Sequence, residues 1–149
     1  MRSFLITIIL ICVSFSQKTN PNYDANLAKR LGADDYGMKK FILVILTTGL
    51  NESRNKAFKD SCFSGHMSNM ETMVENKKLV VAGPVGKNEN QYRGLFILNV
   101  KSKEEASILL KTDPAINEKF LKPEFYEWYG SAALSEYLDA SDKVWKKGF

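Results

Sequence analysis

The sequence predicts an α+β fold, and three observations predict it. Four short apolar stretches, residues 40–46, 79–84, 94–100 and 124–129, are dense in Val, Ile, Leu and aromatic residues and read as strands. Helix signals lie between the first and second strands and again between the third and fourth. The second and third strands are joined by a polar, Asn-rich loop over residues 87–93.

The order strand, helix, strand, strand, helix, strand is a split βαβ arrangement, the ferredoxin-like pattern βαββαβ. Such a sheet is antiparallel and carries its helices on one face. The other face has too much apolar character to be left in water, so a homodimer formed through it is expected.

Each element has a local cause. Residues 17–37 read as a leader with one short helix, capped by Asp24, carrying Leu27 and Leu31, and closed by Gly32. A turn over residues 33–37 leads into the domain, residues 38–130. Residues 64–76 suit a helix with Met67, Met70 and Val74 on one face and Ser61 or Ser64 as cap. A start near Arg54 is the longer alternative, but Gly65 favours a break. Pro84 ends the second strand because it cannot donate to a ladder. Ser102 and Glu105 fit a capping box ahead of a helix bearing Ala106, Leu109 and Leu110. Asp113-Pro114 is a further helix start, cap followed by proline at the first helical position. Pro123 precedes the fourth strand. Residues 131–149 form a C-terminal extension, read as one helix capped by Ser131 with Leu134, Tyr137, Leu138 and Trp145 in a stripe.

The first 16 residues are of a different kind. Arg2 precedes a run from Phe4 to Val13 that only Thr7 interrupts, and Ser14 and Ser16 stand at −3 and −1 of a cut before Gln17. That is the layout of a signal peptide, so the chain is expected to be exported, periplasmic or secreted. The run is shorter than the roughly 20 apolar residues a bilayer span needs, so no stable membrane insertion is expected once it is removed. Its removal takes Cys12 and leaves Cys62 without a disulfide partner, so Cys62 reads as a small apolar core residue.

Charge and composition exclude several functions. The chain carries a formal net charge of +4, but its lysines lie in scattered pairs such as Lys39-Lys40 and Lys77-Lys78, with acidic residues between them. That is a solvated surface and not a nucleic-acid face. One histidine and one retained cysteine cannot supply a metal site, and no phosphate loop or nucleophile elbow is present, so no metal or cofactor is expected.

What remains is His66, the sole histidine, in Ser64-Gly65-His66-Met67. Imidazole is the side chain best suited to moving protons near neutral pH. Asp113 is its candidate partner, since a carboxylate that caps a helix is held still and can orient a ring. Ser64, Gly83 and Pro84 are candidate binding positions for an unidentified small molecule.

Taken in order, residues 40–44, Gly65-His66-Met67, the Ala-Gly-Pro ending of residues 79–84, and residues 102–106 followed by Thr112-Asp113-Pro114 resemble the YCII-related (YciI-like) family. The resemblance implies a ferredoxin-like domain that pairs sheet to sheet as a dimeric α/β barrel. It implies a cleft in which a His and an Asp pair, here His66 and Asp113. At least some relatives act as dehalogenases of chlorinated lactones, which implies general acid/base chemistry on a small carbonyl compound or lactone. The leader and the C-terminal extension depart from the simplest members. A non-catalytic ligand-binding or structural dimer is the alternative.

Overall fold

In the computed structural model, residues 19–147 are described, and the expected signal segment lies outside them. The central strand β1 (Met38–Thr48) alternates its side chains between two faces. Ile42, Val44 and Leu46 point to the side that carries the helices and join the core there. Strands β2 (Leu79–Pro84), β3 (Tyr92–Leu98) and β4 (Leu121–Ser131) complete one sheet in the order β2-β3-β1-β4, with every neighbouring pair antiparallel. This is the ferredoxin-like order, and the expected fold class stands.

Helices α2 (Lys56–Glu75), α3 (Lys103–Leu110) and α4 (Pro114–Asn117) supply the other half of the core through Met73, Ala106, Leu110 and Ala115. They meet Phe96 and Leu98 of β3 and Leu121 of β4. Each large side chain here contributes about 1.5–3 kcal/mol by leaving water. The α3 cap forms in a shifted version of the expected box. Ser102 Oγ accepts from the Glu105 N–H at 3.2 Å, while Glu105 Oε2 accepts from the Lys101 N–H at 2.9 Å.

Three expectations are corrected. First, α2 begins at Lys56 and runs unbroken through Gly65. Its cap is Asn55, whose side chain accepts from the Phe58 N–H at 3.1 Å, and not Ser61 or Ser64. Its inward stripe is Cys62, His66 and Met73, whereas Val74 is 40% exposed. Second, β4 starts ahead of Pro123, which pairs in register with Leu46. Proline is tolerated because β4 is an edge strand with a partner on one side only. Third, no single helix spans the C-terminal extension. A 3-10 turn (Ala132–Glu136) leads into a short α5 (Tyr137–Ser141), and Ser131 makes no capping bond. At the far end of the stripe Trp145 is 60% exposed, so among the described residues no packing carries the helix further.

The short helix expected after Asp24 is present. Helix α1 (Ala25–Leu31) is capped by Asp24, which accepts from the Asn26 and Leu27 N–H groups, and closed by Gly32 at φ 70°. The face of the sheet away from α2 and α3 carries Phe41, Leu43 and Ile45 of β1, Leu95 and Ile97 of β3, and Tyr126 and Trp128 of β4. Phe41 is fully buried there, its ring 5.7 Å from that of Trp128. The remainder of that face is half-buried or exposed. Among the described residues, no helix is long and apolar enough to cross a membrane.

Candidate functional site

The site is made by a helix-to-helix approach that only glycine allows. A Cβ on Gly65 would stand 2.6 Å from Pro114 Cγ, well inside contact distance. With hydrogen there instead, the Asp113-Pro114 step lies directly against α2. His66 is the next residue on α2, and Asp113 is the cap of α4. Their side chains therefore meet, with His66 Nδ1 2.6 Å from Asp113 Oδ2.

Asp113 is fully buried and both its oxygens are used. Oδ1 accepts from the Ala115 N–H at 2.9 Å and the Ile116 N–H at 3.3 Å. Oδ2 is left for the histidine. An ionised carboxylate can only accept, so the ring donates to it from Nδ1, and in the neutral ring Nε2 is then the nitrogen with the lone pair. Nε2 has no protein partner among the described residues. The His66 side chain is 11% exposed.

The ring is held by aromatic neighbours. Phe96 of β3 stacks on it at 5.9 Å between centroids and 23° between planes, and Phe63 meets it edge-on at 6.2 Å. Phe120 continues the wall, 6.1 Å from Phe63 and 5.8 Å from Phe58. One turn along α2, Asn69 Nδ2 donates to Thr112 Oγ1 at 2.7 Å, which ties the helix to the residue before Asp113. The arrangement is a fixed, nearly dry imidazole with an acceptor at one nitrogen and a carboxylate at the other. Such a group can take a proton at Nε2 while the carboxylate stabilises the imidazolium.

The structure brings together His66 and Asp113 and not the other candidates. Ser64 is exposed and lies two residues from His66, hence about 200° around the helix at 100° per residue. Gly83 pairs with Leu95, whose side chain points away from α2, and no atom would meet a Cβ there. Pro84 pairs with Gly94 at the end of edge strand β2 and is exposed. Surface hollows of about 440 and 460 Å³ lie beside Leu50 and Lys119 and beside Lys78 and Lys101, and neither borders His66. Cys62, one turn before His66, is buried as expected. Burial pushes its thiol pKa up, with the Glu118 charge adding to the effect, so it is a poor nucleophile.

Phe63, Phe96 and the steric role of Gly65 were not identified from sequence. Phe63 could have been found from its place one turn from His66. Phe96 and Gly65 depend on strand register and on a distant proline.

No family model matches the chain, and no curated protein matches it. Among solved structures it is similar to 5-chloro-2-hydroxyhydroquinone dehydrochlorinase (TftG) from Burkholderia phenoliruptrix AC1100, in a complex with 2,5-dihydroxybenzoquinone. The identity is 16% and the TM-score 0.41, over 58% of this chain and 92% of that chain. The fold rests on the strand order and the site on its own geometry.

Proposed function

We propose that the chain is a YCII-related protein in which His66 is a general base and acid and Asp113 orients it, acting on a small carbonyl compound or lactone. The observation that carries this reading is the buried His66–Asp113 pair, which leaves Nε2 as the free nitrogen. The first step is removal of a proton from carbon next to a carbonyl, with the electron pair moving into the carbonyl or expelling a leaving group. A positioned base contributes about 10²–10⁴-fold.

The test is exchange of that proton for deuterium in D₂O, followed by ¹H NMR over a panel of lactones and enolisable ketones. His66→Gln, which keeps a donor toward Asp113, is expected to lower the exchange rate at least about 100-fold. Equal rates in the two proteins would end the catalytic reading.

A second reading is that the pair only fastens α2 to α4, as its burial and the place of Asp113 at the α4 cap allow. In that case the chain is a binding or structural module, and no member of the panel exchanges faster with the protein than without it.

The proposed assembly is a homodimer through the sheet face that bears Leu43, Ile45, Leu95 and Ile97. Its support is the apolar character of a face that α2, α3 and α4 leave open. Light scattering at micromolar concentration is expected to give twice the chain mass, and Ile97→Glu to give the single mass. A wild-type monomer would reject this assembly.

A further inference from the structure

The end of helix α1 reaches the sheet face opposite α2 and α3 at Lys39, and its ties to the rest of the chain are few. It has seven residues, and none of them is buried. Lys39 shows where it sits. Its ammonium is 4.8 Å from the centre of the Phe41 ring and donates to the Leu31 carbonyl at 3.1 Å, so the end of α1 stands beside Phe41. The other fastening is Arg30 to Glu136 of the 3-10 turn, with Nη1–Oε1 at 3.0 Å and Nη2–Oε2 at 3.4 Å. That ion pair is exposed, with side chains 63% and 43% accessible, and exposed pairs are weak and screened by salt.

The chain after α1 is anchored much better. The Asp34 carboxylate accepts from the Tyr36 N–H at 2.9 Å, from the Met38 N–H at 3.0 Å and from the Tyr129 hydroxyl. The Ala132 N–H donates to the Gly37 carbonyl at 2.9 Å, and Ala132 is buried. Between the weak and the strong fastenings stands Gly32 at φ 70°, with open space where a Cβ would be. A segment whose best-covered residues, Leu27, Ala28 and Leu31, are only half-buried, with two polar side-chain ties and a glycine at its root, has the local stability of an opening unit and not of the whole fold.

We propose that α1 is a strap that releases from the sheet face about Gly32 while the sheet stays folded. Release frees Lys39, whose ammonium lies over Phe41, and Phe41 pairs with Trp128 across β1 and β4 beside the Leu43–Tyr126 pair. The freed end of the face is thus continuous with its open apolar part, and release enlarges the surface available to a second copy of the chain. That consequence rests on the dimer reading above, whereas the opening itself does not.

Amide hydrogen exchange on the full-length protein tests it. The hydrogen-bonded amides of Ala28, Gly32 and Ala33 are expected to exchange at least about 100-fold faster than those of Ile42 to Ile45. Arg30→Glu, which sets two carboxylates facing each other, is expected to speed the α1 amides about two- to fivefold and leave the β1 amides unchanged. Adding Glu136→Arg restores the original rate. Exchange of α1 within threefold of β1, or an equal acceleration of both by Arg30→Glu, overturns the strap. Faster α1 exchange without tighter self-association in Arg30→Glu keeps the strap and removes its link to the dimer.

Discussion

Asp113→Ala is expected to lose roughly 2–4 kcal/mol of stability, from a lost helix cap and a buried ring nitrogen left without its partner, read as a lower denaturant midpoint at unchanged slope. Two losses combine. The α4 cap disappears, which alone costs about 1 kcal/mol. His66 is left in a site 9% exposed, walled by Phe96 and Phe63, with no partner for Nδ1 in either tautomer. Asp113→Asn separates these effects. Asparagine caps as well as aspartate, so its Oδ1 can still accept from Ala115 and Ile116 and most of the stability returns. Its amide, however, presents N–H to His66 Nδ1, which must then accept. The ring proton moves to Nε2, and the nitrogen that faced outward as a base becomes a donor. Because His66 is the sole histidine, a ¹⁵N spectrum of the imidazole reads this without assignment. The expected result is the Nδ1–H tautomer in the wild type and the Nε2–H tautomer in Asp113→Asn, with the exchange activity lost along with the free base. An unchanged tautomer would show that Asp113 does not set the ring. A loss under about 1 kcal/mol in Asp113→Ala would show that the pair does little for the fold.

The pairing of His66 with Asp113 was legible in the sequence, while the contacts that hold the two side chains together were not. Asp113-Pro114 announces a helix cap through chemistry confined to two neighbours, and the cap is where it was expected. Apolar runs announce strands in the same local way, and all four are present. The errors lie where distant residues decide. Gly65 has low helix propensity, so a break was the local expectation, yet α2 runs through it because Pro114 needs the space. Pro123 suggested a strand boundary, but an edge strand can absorb it. The C-terminal stripe has helical spacing, but spacing does not supply a surface to cover. Ser64 looked like a neighbour of the site because it adjoins His66 in sequence, whereas helical rotation carries it to the solvent side.

Gly65 gives the sharpest test of how the site is built. In an ordinary helix Gly→Ala gains about 0.5–1 kcal/mol from lower backbone entropy in the unfolded chain. Here the added methyl would sit 2.6 Å from Pro114 Cγ and 3.3 Å from Cδ. The proline ring is rigid and fused to the backbone that carries Asp113, so it cannot rotate aside as a leucine would. Either α4 moves away from α2 or the helix bends, and overpacking of this kind costs about 1–3 kcal/mol. Gly65→Ala is therefore expected to destabilise, against its propensity, and to weaken the His66–Asp113 bond that the close approach permits. Pro114→Ala removes the obstructing Cγ and Cδ. The double variant Gly65→Ala/Pro114→Ala should then be more stable than the sum of the single changes predicts, by about 1 kcal/mol or more. The ¹⁵N spectrum of His66 should return toward the wild-type pattern in the same protein. If Gly65→Ala raises stability, or the two changes simply add, the approach of α4 to α2 does not depend on that glycine. The dyad would then need another cause for its 2.6 Å bond.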